Sequence, residues 1–134
     1  MGYLSEVSIT VPNEAFEELL AMAKAENNHA YELIKCAAIY QTDRFTTIHF
    51  DEIKWYRHYE DVRFIESFVH KVPYVFKRIG EESDDIECDE GNNTDYGIYD
   101  CVNIVRSLDV ENAGEEITIY GEGEDVHEIQ RQAA

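Results

Sequence analysis

TIHFDEIKWYRHYEDVRFIESFVHKV, residues 47–72, changes its hydrophobic period halfway along. First, Ile48 and Phe50 alternate with Thr47 and His49, the two-residue period of a strand. Then Val62, Ile65, Phe68, Val69 and Val72 recur at threes and fours, the apolar stripe of a helix. Asp61 is placed to cap that helix and Pro73 to stop it. The single tryptophan, Trp55, lies at the junction and reads as an anchor between the two halves.

Upstream, Val7, Ile9 and Val11 alternate with Ser8 and Thr10, a half-buried strand ended by Pro12. Asn13 is a candidate N-cap, and Phe16, Leu19, Leu20 and Ala23 mark a helix. Asn27-Asn28 breaks it, and Ala30, Leu33, Ile34 and Ala37 mark another. Ile39-Tyr40 and Phe45–Phe50 predict a hairpin turning at 41–44. Downstream, Tyr74–Ile79 and the acidic Ile86–Cys88 read as strands, with Gly91-Asn92-Asn93 as a loop. Residues 96–110 carry apolar residues on both alternating faces, which predicts a long central strand. Ile117, Ile119 and Val126 suggest a last weak strand. Strands gathered after helices predict an α+β fold: a largely antiparallel sheet with about three helices packed on one face. One domain over 1–129 is expected, with 130–134 a frayed tail.

Charge is the strongest compositional feature, with 29 Asp and Glu against 11 Lys and Arg, a net −18. It is lopsided: nine bases face twelve acids through Arg78, and two face seventeen from Ile79 onward. Direct binding to a nucleic-acid backbone needs the opposite sign, so a basic protein partner is expected instead. Cys36, Cys88 and Cys101 are odd in number and form no CxxC pair, which suits reduced thiols in a cytoplasm. Pairing of Cys88 with Cys101 stays open. No apolar run long enough for a signal peptide or membrane span is seen.

Residues 81–95, EESDDIECDEGNNTD, hold eight acids and no base. A calcium loop starting at Asp85 would put Glu90 where glycine is required and Tyr96 where a bidentate glutamate is required, so the EF-hand match fails. A solvated acidic hairpin is the plain alternative. A third reading is carboxylates set along two adjacent strands, Glu81, Glu82, Asp84, Asp85, Glu87, Asp89 and Glu90, that imitate phosphates for a basic groove. Trp55, Tyr56, Arg57, Tyr59 and Arg63 form a candidate aromatic and basic patch of the kind that supplies hot spots. Gly121–Glu124, GEGE, lacks the lysine and following helix of a phosphate cradle. His49, His58 and His70 have no ligand spacing for zinc, and no serine or cysteine sits in a nucleophile context. No catalytic residue, metal or cofactor is therefore assigned.

Met1-Gly2-Tyr3-Leu4-Ser5-Glu6-Val7, Ile53-Lys54-Trp55-Tyr56, and Arg78-Ile79-Gly80-Glu81 followed by Asp84-Asp85-Ile86-Glu87 resemble segments of small phage and prophage proteins. The resemblance touches residues 1–108 and brings no activity or residue role with it. It implies an accessory protein acting in the bacterial host cytoplasm, where small acidic phage proteins resemble inhibitors of host defence. DNA-mimic and anti-CRISPR proteins share its size and charge, not its sequence.

The leading expectation is a non-enzymatic protein that inhibits a basic, nucleic-acid-handling host protein through the acidic residues. One rival is a nucleotide-signal site walled by Trp55, Tyr56 and Tyr59, with Arg57, Arg63, Lys77 or Arg78 on the anionic groups. Another is an oligomeric structural module, with a homodimer left open.

Overall fold

The computed structural model describes residues 2–92, 96–104, 108–119 and 129–131. Among these, β1 (Ser5–Pro12) leads into α1 (Asn13–Glu26) and α2 (Asn28–Cys36), then β2 (Ala38–Gln41) and β3 (Phe45–Ile53). Next come α3 (Glu60–Val69), β4 (Tyr74–Gly80) and β5 (Ile86–Gly91). A 3-10 turn at Tyr96–Cys101 precedes the two-residue strands β6 (Asn103–Ile104) and β7 (Leu108–Asp109). A second 3-10 turn at Glu111–Ala113 leads to β8 (Glu115–Ile119) and β9 (Ile129–Arg131).

The fold is α+β. Seven strands form one antiparallel sheet in the order β5-β4-β1-β3-β2-β8-β9, with β6 and β7 as a separate ribbon. Strand alternation gives the sheet two faces. On one, Val7, Ile9 and Val11 of β1, Ile48 and Phe50 of β3 and Phe76 of β4 meet the helices. The helices contribute Phe16 and Leu19 from α1, Ala30 and Ile34 from α2, and Val62, Ile65, Phe68 and Val69 from α3. Trp55 closes this core where β3 hands over to α3, packing against Phe50 and Phe76. The strand-to-helix switch in residues 47–72 is thus the seam of the domain.

The opposite face is covered too, and here the expected strand at 96–110 is wrong. Residues 96–104 and 108–113 instead form the two 3-10 turns and the short ribbon, laid across the sheet. Ile98, Cys101, Val102, Leu108 and Ala113 pack there on Phe45 and Val75. Ile98, Cys101 and Val102 are spaced at three and four, so one helical turn buries all three together. That pattern was visible beside the two-residue alternation and won. The both-face-buried strands are β1 and β3: Ser8, Thr10, Thr46 and Thr47 are buried alongside their apolar neighbours. The half-buried expectation for β1 fails because the cover removes its second face from water.

Three local expectations also change. Asn13 is the first residue of α1, and its amide spans to Thr42 O and receives the Thr46 hydroxyl instead of capping. Asp61 lies inside the first turn of α3, where it accepts only from the next backbone N–H. Ile129–Arg131 pairs with β8, so residues 130 and 131 belong to a strand and not to a frayed end. Asn27 does cap α2, accepting from Ala30 N at 3.0 Å. The 41–44 turn joins β2 to β3 as predicted. Val126 and the Gly121–Glu124 stretch lie outside the described residues.

Candidate functional site: an acidic sheet edge

β5 is the outermost strand of the sheet, and among the described residues nothing pairs with its outer side. Its register sets Arg78 opposite Glu87, Phe76 opposite Asp89 and Tyr74 opposite Gly91. Glu87 and Asp89 therefore project on the helix face. Ile86, Cys88 and Glu90 project on the other, where Ile86 is half exposed. β4 carries Lys77 and Arg78 across from these residues, so two adjacent strands of carboxylates do not exist. The acids line one strand and the turn before it.

Several of the seven predicted carboxylates are neutralised from within. Asp85 takes both Arg78 Nη atoms, Nη2 at 2.7 Å, and the Tyr3 hydroxyl at 2.6 Å. The Arg78 hydrogen bond, then that of Tyr3, holds the Asp85 carboxyl below its usual range. Glu87 accepts from Arg78 Nε at 3.0 Å and Arg57 Nη2 at 2.8 Å. Arg57 Nε continues to Glu66, which also accepts the Trp55 indole N–H at 2.7 Å. A chain of alternating charge thus runs Tyr3, Asp85, Arg78, Glu87, Arg57, Glu66, Trp55, stitching the first residues, the hairpin and α3 together. Gly80 permits its tight end, since a Cβ there would sit 2.1 Å from Asp85 Oδ2 and 2.3 Å from the Tyr3 hydroxyl. Glu81 accepts from the Leu4 backbone. The side chains of Glu82, Asp84 and Glu90 make no hydrogen bond or ion pair among the described residues and face solvent, Glu90 within the field of Lys77.

The aromatic and basic set does not converge into one patch. Trp55 is buried. Tyr56 accepts from Tyr3 N and stacks with His58, and Tyr59 is exposed beside both rings. Arg63 lines a groove between α3 and the α1–α2 junction, on a floor of Met22, Phe64 and Phe68. Lys77 points through the other face of the sheet, where it donates to the Tyr99 and Val102 carbonyls and tethers the cover. Burial lowers its pKa. Of the bases the nucleotide reading offered, Lys77 thus lies on the face opposite Arg78 and is bonded to the cover.

Sequence reasoning missed a polar layer beneath the cover. Ser8 lies between cross-strand neighbours His49 and Lys77. His49 Nε2 is 2.8 Å from Glu6, whose carboxylate also accepts Leu108 N. The trio resembles a nucleophile with a base. Ser8 is nevertheless 1 % exposed, and His49 and Lys77 are bonded elsewhere. Its signal, polar residues on the second face of an internal strand, is indistinguishable in sequence from a solvated face.

Among the described residues no three His, Cys, Asp or Glu side chains converge as a metal site, and no disulfide joins Cys36, Cys88 and Cys101 to one another. Among the described residues no helix is long and apolar enough to cross a membrane. No family model, curated protein or solved structure matches this chain.

Proposed function

We propose that this is a non-enzymatic binding protein that engages a basic protein partner through β5 and the turn before it. The observation that supports it most is the open sheet edge with Glu82, Asp84 and Glu90 unneutralised around it. Exposed edges invite a further strand, and charge on the edge selects which strand is accepted. A second copy fits poorly, because pairing β5 with itself would set Glu87, Asp89 and Glu90 against the same acids. An extended segment rich in lysine and arginine fits well. Proteins that hold nucleic acid present such segments to phosphates, so occupying one would inhibit it. The resemblance to phage proteins adds that the partner belongs to a bacterial host. Here the edge mimics phosphate charge along one strand, not two.

The test uses polylysine as the cationic probe. Reversing Glu82, Asp84 and Glu90 to lysine leaves the Arg78 and Arg57 pairs in place and should weaken binding at least ~10-fold, with a shallower salt dependence. A control reverses Glu14, Glu17 and Glu18 of α1, giving the same change in net charge. If both variants weaken binding equally, the edge has no special role and the proposal fails.

A further inference from the structure

Between α3 and the β4–β5 hairpin lies a cavity of about 230 Å3. Its floor is apolar: Ile9, Val69 and Phe76 are each at least nine-tenths buried. Its rim carries Glu66, Glu87 and Asp89, with His70 Nε2 3.7 Å from Asp89 Oδ2. Two guanidiniums already reach these carboxylates, Arg57 on Glu66 and Glu87 and Arg78 on Glu87. The volume equals that of about eight waters, and is below the ~300 Å3 at which ordinary small-molecule sites begin. A nucleotide is excluded by size and by charge. The half-dozen heavy atoms of an arginine beyond its Cβ, or the stem and ammonium of a lysine, fit both.

Arg57 shows how this site treats such a group. Its guanidinium lies 5.6 Å from the Phe76 ring centroid and binds Glu66 on one side and Glu87 on the other. Aromatic face below and carboxylates at the rim are what a further cation requires. Asp89 is the rim group with most capacity left. Its Oδ2 takes the Tyr74 hydroxyl at 2.7 Å with the exposed His70 ring 3.7 Å away, and its Oδ1 takes only the adjacent Glu90 N–H. An ionised carboxylate offers about four acceptor positions. The Asp89 side chain is half exposed, so it can be reached from outside.

We infer that this cavity is a socket for an arginine or lysine side chain of the basic partner, its stem on Phe76 and Val69 and its charge on Asp89. The inference rests on the docking reading above, since Glu87 and Asp89 belong to the edge strand itself. A basic strand lying along β5 would then insert one side chain across the edge, the central anchor that interfaces of this kind need.

The probe is N-acetylarginine amide, with the citrulline analogue as its uncharged isostere, followed by NMR. The Trp55 indole N–H is the reporter, because it bonds Glu66 at the rim. Saturable shifts with arginine and none with citrulline are expected. Asp89→Asn should weaken that binding several-fold, and Asp89→Lys, which supplies its own ammonium, should abolish it. The Glu82, Asp84 and Glu90 reversal should leave it intact. Equal binding of citrulline, or full binding by Asp89→Lys, overturns the socket. If the socket fails while the edge reversal still weakens polylysine binding, only this inference is lost. If arginine amide binds while the edge reversal leaves polylysine unaffected, the site serves a free small cation, and the partner side chain is overturned.

Discussion

Tyr74 shows how one residue joins packing to charge. Its ring is buried at the start of β4, and its hydroxyl donates to Asp89. Burial first, and the Asp89 hydrogen bond second, push its pKa from 10.0 up to about 12. A raised value in the folded state contributes stability that is whole below pH 10.0 and is lost as pH climbs toward about 12. Tyr74→Phe should therefore be less stable than the parent near neutral pH by about 1 kcal/mol, the net worth of a hydrogen bond. The gap should close on the alkaline side, as read from urea midpoints across that range. At this scale Trp55 was legible, because a lone tryptophan at a strand–helix junction has few places to go but the core. The Arg57–Glu87 pair was not legible. Thirty residues separate its members, and Arg57, on the turn before α3, meets the edge strand only through the packing of α3 on the sheet.

Elements follow local chemistry where their partners are near in sequence. The α1–α2 break at Asn27 is one case: the side chain closes the first turn of α2, and Asn27→Ala should cost about 1 kcal/mol in chemical denaturation. Gly114 is another. It sits at φ +95°, where a Cβ would lie 2.0 Å from Gln41 O. Gly114→Ala should pry β8 from β2 and lower the melting temperature by several degrees. The helices, the β2–β3 hairpin and the β4–β5 hairpin were readable because period and turn residues agreed. Residues 96–113 were not, since Ile98, Cys101 and Val102 satisfy a strand and a helical turn alike. What decides between them is the apolar pair Phe45 and Val75 on the second face of the sheet, which needs covering and lies far away in sequence. The acidic hairpin was found, but its inward pairing with Arg78 depends on the β4–β5 register, and that with Arg57 on where α3 packs.

For the whole molecule, a net charge of −18 is spread over a small domain, and two arginines, Arg57 and Arg78, are occupied within it. Like charges left at the surface repel. Raising salt from about 0.01 M to 0.15 M shortens the screening length from roughly 30 Å to 8 Å. Thermal stability should therefore rise over that interval while polylysine binding falls. Calorimetry and binding measured side by side would show the opposed trends, and parallel trends would mean that the two charges at issue are the same.

The position of β1 has a consequence for how the chain is assembled. Its neighbours, β3 and β4, arrive some forty and seventy residues later. As the chain leaves a ribosome, a valine- and isoleucine-rich ribbon must wait, unpaired on one side, until residue 80 has emerged. Closing such long loops is slow, and the waiting ribbon is adhesive. The helix pair α1–α2 emerges next and can shield the apolar side of that ribbon during the interval. The early helices then act as an escort for the strand that the finished sheet places between two late arrivals.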